Sequence, residues 1–516
     1  MSMKMENLST EIVEMGVQHT GPYAGSPNFS IRVRRGLPSF LNSVNLKYVK
    51  LGYLYLVSHG FYLVIAPVVV LILGAILGKL TWSDFSFNCS LTNTLCLIGL
   101  LCVVLYLYLD FIPPPTYLVD FACYRPPGEL QIVMQNETMQ VSKEDFIELA
   151  RKSGNFDENA LAIQQQFLKS SGIGDETYLP KTIFQHGYKK SLKESREEAA
   201  MVMFGAIDDL LATTKIKPKD ISILIVNCSS LSTTPSLSAI VINHYKLKHD
   251  ICSFNLGGMG CSAGIIAIDL ARDLLNVYPR SYALVVSTEI ISYSWYSGKE
   301  VDMLIPNCFL RMGCAAILLS NHRLVRWKAK YELKQVVRTH KGMDNRSFNS
   351  VHVKEDSEGN QSISVSKDVM EIGGHALKDN ITILGTLVLP LSEQLQFFTS
   401  LLNSSSKPYV PNYKLAFEHI CIQATSKKVL DEIQKNLGLT EDYMEPSRKT
   451  LERFGNTSSS SVWYELACLE ANKKVKRGDR IWQIAFGSGF KCNSAVWRAV
   501  NTIGKPKKSP WIEDSS

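Results

Sequence analysis

The sequence predicts a duplicated α/β chain carried on a two-helix membrane hairpin. Two long uncharged apolar runs stand back to back near the N-terminus, and beyond them short continuous apolar runs alternate with helix-like segments. The length of 516 residues, 46% hydrophobic and 20% charged, suits two domains or one large duplicated one and excludes disorder. With Gly 32 and Pro 20 over that length, the collagenous and low-complexity classes fail as well. A net charge of +7, spread over the whole chain, argues for no nucleic-acid partner.

The first element is a cytosolic tail over 1–50, followed by the hairpin over 51–112. No Asp, Glu, Lys or Arg interrupts 51–78 or 85–109, and each run exceeds the roughly 20 residues that cross a bilayer. The first run begins too late to be a cleaved signal peptide. Arg32, Arg34, Arg35, Lys47 and Lys50 precede it without an acidic residue among them, whereas the connecting loop holds only Lys79 and Asp84. Positive charge stays in the cytosol, so both ends are expected there. Pro113, Pro114 and Pro115 stop the second helix.

In the body, strands are expected at 221–229, 251–258, 282–290, 314–321, 331–339, 415–424 and 480–489. Their apolar residues run continuously rather than alternating, which indicates sheets covered on both faces. The strand-rich halves separate near 321–329, giving expected ranges of 113–325 and 326–505 before a solvated basic tail over 506–516. Segments 347–362 and 403–412 read as surface loops, and His375 after Gly373 and Gly374 as a turn residue.

The 12 cysteines form no CxxC pair and have no histidine at zinc spacing, so all are expected free, in a reducing compartment. Ten scattered histidines without HExxH give no metal site. One cysteine stands in a special setting. In NLGGMGCSAG, Cys261 follows a glycine-rich strand exit and opens a helix, where free backbone N–H groups and the helix dipole favour a thiolate. The segment reads either as a nucleophile elbow or as a small apolar cysteine in a helical first turn. Asn456, taken alone, reads as a turn residue after Gly455.

NLGGMGCSAG (255–264), TPSLSA (234–239), RTHKG (338–342), RFGNTSSSS (453–461) and FGSGFKCNSAVW (486–497) resemble the plant 3-ketoacyl-CoA synthases, in order along nearly the whole chain. The resemblance implies a thiolase-like five-layer αβαβα core with the active site between two similar halves. It implies condensation of a long-chain acyl-CoA with malonyl-CoA, with loss of carbon dioxide, to give a 3-ketoacyl-CoA in very-long-chain fatty acid elongation. No cofactor is implied beyond these two substrates. It further implies an endoplasmic reticulum membrane address with a cytosolic catalytic domain, and a homo- or heterodimer with related synthases and other elongase subunits.

By the same resemblance Cys261 is the acylated nucleophile and Asn456 a donor to the developing enolate. Gly487 and Gly489 shape the substrate cleft, and His340 and His419 match other family histidines. The pattern breaks at Cys421-Ile422-Gln423-Ala424-Thr425-Ser426, where the family has a histidine followed by glycines: Gln423 stands at the histidine's position. Glu452 stands where the family often has histidine as well. A glutamine donates hydrogen bonds but takes up no proton, so a base worth ~10²–10⁴ in rate is expected to be missing. Thr425 and Ser426 are expected to resist the positive φ that glycines allow. These breaks raise an alternative function, that of an impaired relative acting as regulatory partner of an active synthase.

Overall fold

The computed structural model describes residues 10–18, 28–36, 114–126, 140–402, 411–506 and 508–512. The expected membrane hairpin at 51–112 lies outside them, as does most of the expected loop at 403–412. Among the described residues no helix is long and apolar enough to cross a membrane. The chain divides into two units, Met1–Ile112 and Pro113–Ser516. In the first, Thr10–Gln18 and Asn28–Gly36 pair antiparallel.

The second unit is built on one nine-stranded sheet. Its strands are β1 (Tyr117–Cys123), β2 (Ile221–Asn227), β3 (Cys252–Leu256), β4 (Tyr282–Glu289) and β5 (Gly313–Ser320), then β6 (Tyr331–His340), β7 (His419–Ile422), β8 (Arg480–Gly487) and β9 (Lys491–Ala499). They lie in the order β7-β8-β9-β6-β1-β5-β4-β2-β3. The duplication is visible in the pairing. β2 runs parallel to β4, β4 antiparallel to β5, and β5 antiparallel to β1. In the second half β7 runs parallel to β8, β8 antiparallel to β9, and β9 antiparallel to β6. The halves meet where Tyr331 and Glu332 of β6 pair with Leu118 and Tyr117 of β1.

Continuous apolar strands follow from helices on both faces. β5 is buried along its whole length. Helix α1 (Leu192–Thr214) covers β1, β4 and β5, and α3 (Val369–Val388) covers β6 and β9. Two further helices, α2 (Ala263–Val277) and α5 (Ser461–Ala471), touch strands of both halves. Between α3 and α5 lies α4 (Glu441–Phe454), packed on β7 and α5.

Four sequence expectations need correction. Within 347–362, Val351–Glu355 and Gln361–Val365 form a hairpin rather than a loop, closed through Gly359 at φ +85°. Its polar alternation is that of a half-exposed ribbon, which charge disguises as loop. His375 is an exposed residue within α3 and sits in no turn, because Gly373 and Gly374 do not interrupt the helix. The tail is docked: Lys508 pairs with Asp209 at 2.5 Å, and Trp511 donates to the Tyr464 carbonyl at 2.8 Å. Strands β1 and β9 complete the sheet without having been expected. The described cysteines are all free.

Candidate active site

β3 delivers the chain to Cys261 at the sheet edge, and α2 starts two residues later with Ser262 at its N-cap. The elbow is tight because Gly260 takes φ +70° and packs on the opposite loop. A Cβ there would lie 2.3 Å from the Ser488 nitrogen and 3.0 Å from the Gly487 Cα. Gly487 is hemmed in reciprocally, since a Cβ would meet Ser262 Oγ at 2.4 Å. The Cys261 elbow of one half and the β8–β9 turn of the other therefore touch through bare backbone.

Ser458 and Gln423 are the side chains that favour the thiolate of the half-buried Cys261. Burial pushes the thiol above its ordinary pKa, and the Ser458 hydroxyl pulls it down. The Glu289 carboxylate adds to the upward push, while Gln423 and the Cys261 backbone N–H oppose it.

Gln423 sits at the end of β7, fully buried, and its backbone N–H donates to the Ile484 carbonyl at 2.9 Å. Its Oε1 accepts the Phe486 backbone N–H at 2.8 Å. Only an acceptor can face that N–H, so the amide is oriented with Nε2 free, and Nε2 is buried without a hydrogen-bond partner. The strand end is held from behind. Ile422 N–H donates to Ser447 Oγ at 2.9 Å, and Ser447 donates to Glu465 at 2.8 Å. Burial drives the Glu465 carboxyl well above the usual range.

Asn456 repeats the arrangement. It is buried, and its Oδ1 accepts the Ser458 backbone N–H at 2.9 Å, which leaves the NH₂ end as the available donor. Its backbone bridges to Leu310, with N–H to the Phe309 carbonyl at 3.0 Å and carbonyl to Arg311 N–H at 2.9 Å. Ser458, buried and at φ +55°, stores local backbone strain of the kind found at functional sites. Its hydroxyl donates to Glu289 at 3.2 Å. Glu289 also takes Ser229 N–H at 3.3 Å, Ser230 N–H at 2.9 Å and Ser230 Oγ–H at 2.5 Å.

The structure thus gathers Cys261, Gln423, the Asn456–Ser458 segment and the Gly487 turn. It leaves out three residues named from the sequence. His340, exposed at the end of β6, lies beside Gly489, whose Cβ would stand 3.9 Å from its Nε2. Burial, Lys491 and Arg338 hold its imidazole below the usual pKa. His419 is at the start of β7, the opposite end of that strand from Gln423, paired with Asp479 at 3.1 Å. Glu452 is an exposed residue of α4 whose backbone carbonyl accepts from Gly174 at 2.8 Å. The expected backbone conflict also fails: neither Thr425 nor Ser426 has a positive φ, and Ser426 is extended at φ −159°.

The missing base itself is not replaced, since an amide takes up no proton, but the donor is kept. A histidine at 423 would meet the same Phe486 N–H with a ring acceptor, leaving a ring N–H toward the sulfur. Glutamine presents an N–H there already. Glu289 and Ser458 were missed from the sequence, although a carboxylate closing the apolar run Tyr282–Glu289 is a signal, since functional groups gather at carboxyl ends of α/β strands.

A family model described as FAE1/Type III polyketide synthase-like protein matches residues 110–406, and one described as 3-oxoacyl-[acyl-carrier-protein] synthase III C terminal matches 416–499. Among solved structures, PKS-I from the brown alga Ectocarpus siliculosus superposes with a TM-score of 0.58 at 17% identity, covering 75% of this chain and 98% of that one. That likeness establishes the polyketide synthase III-type, thiolase-like fold. The Arabidopsis thaliana 3-ketoacyl-CoA synthase 11 is 50% identical over 492 residues, 93% of this chain and 94% of its own. The 3-ketoacyl-CoA synthase 2 of the same plant is 51% identical over 496 residues, 93% of this chain and 92% of its own. With half its residues identical along nearly its whole length, and both halves of the condensing fold matched in order, the chain belongs to the 3-ketoacyl-CoA synthase family.

Proposed function

We propose that this chain condenses a long-chain acyl-CoA with malonyl-CoA in very-long-chain fatty acid elongation. The observation that carries the reading is the pair of amides, Gln423 and Asn456, each tied by its carbonyl oxygen to a backbone N–H and each offering its NH₂ end. The Cys261 thiolate attacks the acyl thioester carbonyl, and coenzyme A leaves as its thiolate, which takes a proton from water. Malonyl-CoA then enters; its bond to the carboxylate breaks, carbon dioxide leaves, and the electron pair moves onto the thioester oxygen as an enolate. Donors fixed in place cost no reorganisation when that charge appears. The enolate carbon bonds to the acyl carbonyl, the C–S bond to Cys261 breaks, and a 3-ketoacyl-CoA two carbons longer departs.

Cations of Arg338 and Lys491 near His340 and Gly489 suit the coenzyme A phosphates. A membrane hairpin at 51–112 fits residence in the endoplasmic reticulum membrane with the condensing domain in the cytosol. For dimerisation with a second copy or a related synthase, β3 is the available edge: it ends the sheet and exposes Phe254. The reading is tested by microsomal elongation with labelled malonyl-CoA, wild type against Cys261→Ala. Label should enter a longer acyl chain only with the wild type, and equal incorporation would overturn it.

A further inference from the structure

Strand register fixes which groups share an end of the sheet. Tyr117 of β1 lies against Ser320 of β5 and Glu332 of β6, and Tyr282 of β4 also lies against Ser320. Cys261 and Glu289 follow the far ends of β3 and β4, opposite Tyr282 in the same half. Between β5 and β6, at the Tyr117 end, the chain makes the short turn Arg323–Trp327. Val325 points inward and packs with Tyr117 and Ala329. Leu324 and Trp327 point outward, 72% and 84% exposed. Val277 at the end of α2 is 71% exposed, and Asn321 binds the neighbouring Tyr278 carbonyl at 3.0 Å, which brings that helix end to the same turn. Arg323, Arg326 and Lys328 are exposed and interleave with these apolar groups. Of the carboxylates that act here, Glu332 is paired with Lys334 at 2.5 Å, and Asp220 faces Tyr282.

Exposed tryptophan and leucine set among cations match the headgroup layer of a bilayer, where the ring sits at the interface and anionic lipid attracts the charges. Chain length points the same way. Tyr117 stands eight residues after Leu109, the end of the second apolar run, a reach of at most about 29 Å. We propose that the Arg323–Trp327 turn docks on the cytosolic leaflet of an anionic bilayer, holding the sheet with its Cys261 end away from the lipid. The proposal rests on the membrane-hairpin reading.

The test uses the full chain in phosphatidylcholine vesicles with and without phosphatidylserine, with plain or brominated acyl chains. Trp295, Trp463, Trp482 and Trp497 are buried, so the emission lost in Trp327→Phe isolates Trp327. In phosphatidylserine vesicles that difference emission should be blue-shifted and lose about half its intensity to the brominated chains, as for a ring at headgroup depth. The triple variant Arg323→Glu, Arg326→Glu, Lys328→Glu should abolish the quenching while still floating with the vesicles. Flotation with unquenched Trp327 overturns the docking alone, as does equal quenching without phosphatidylserine. Failure of the wild type to float overturns both the docking and the hairpin.

Discussion

Gln423 Oε1 accepts the Phe486 backbone N–H at 2.8 Å, and this one bond decides what the side chain offers to Cys261. The backbone donor fixes the acceptor end, so the free end is an N–H whether the residue is glutamine or a neutral histidine. Gln423→His should therefore leave elongation within about tenfold of wild type, because the donor is kept. Gln423→Glu should lose about 10²–10³ in turnover, since its second oxygen places charge against sulfur and enolate. Malonyl-CoA decarboxylation and elongation at equal membrane abundance check both. A histidine variant more than about tenfold faster than wild type would show that the missing base limits this chain.

Asn456→Asp keeps the acceptor for Ser458 N–H and so should keep the turn. It replaces the NH₂ donor with a carboxylate, which repels an enolate. Acylation of Cys261 should persist while release of carbon dioxide falls by about 10²–10³. An acyl adduct trapped on Cys261 together with labelled carbon dioxide counts separates the two steps, and equal loss of both would refute the assignment.

Ser458 and Glu289 act on the Cys261 thiol in opposite senses, and the pH profile of alkylation reads them. Ser458 stabilises the thiolate, so Ser458→Ala should move the iodoacetamide-rate profile of Cys261 to higher pH. Glu289 disfavours the thiolate, so Glu289→Gln should move it to lower pH. Ser458→Gly relieves the positive φ yet lacks the hydroxyl, and it should follow the alanine variant. Shifts of the same sign in the serine and glutamate variants would sink this account.

Glu198 on α1 accepts the Ile291 and Ser292 backbone N–H groups at 2.8 and 2.9 Å, and burial raises its carboxyl to about 7. Its folded pKa lies above the unfolded value, so the folded state holds the extra proton. The stabilisation is complete below about pH 4.3 and is lost as pH rises through 7, a swing of about 4 kcal/mol. The thermal midpoint in detergent should fall between pH 5 and pH 8, and Glu198→Gln should flatten that dependence.

Gly260→Ala places a methyl where the Ser488 nitrogen and the Gly487 Cα already are, at a φ of +70°. The two elbows must separate, at a cost of about 1–3 kcal/mol. Elongation should fall with the thermal midpoint, and a fully active, equally stable alanine variant would show that the contact is dispensable.

The sequence by itself determined the alternation of apolar strands and helices, because a strand covered on both faces must be apolar at every position, as β5 is. It made Cys261 a candidate as well, since a glycine-rich strand exit opening a helix is a local pattern, though that pattern alone left a small apolar cysteine equally open. Tertiary structure decided what surrounds that sulfur. Gln423 and Ser458 are 162 and 197 residues downstream of Cys261, and Glu289 closes a different strand from the one that leads to it. Only the return of β7 and the Asn456–Ser458 segment brings them together. His419 shows the limit from the other side: nothing local separates it from Gln423, yet the two occupy opposite ends of one strand, and the extended backbone carries only the second to Cys261. Which end glutamine presents there depended on the Phe486 N–H, a partner supplied by a neighbouring strand and invisible in the order of residues.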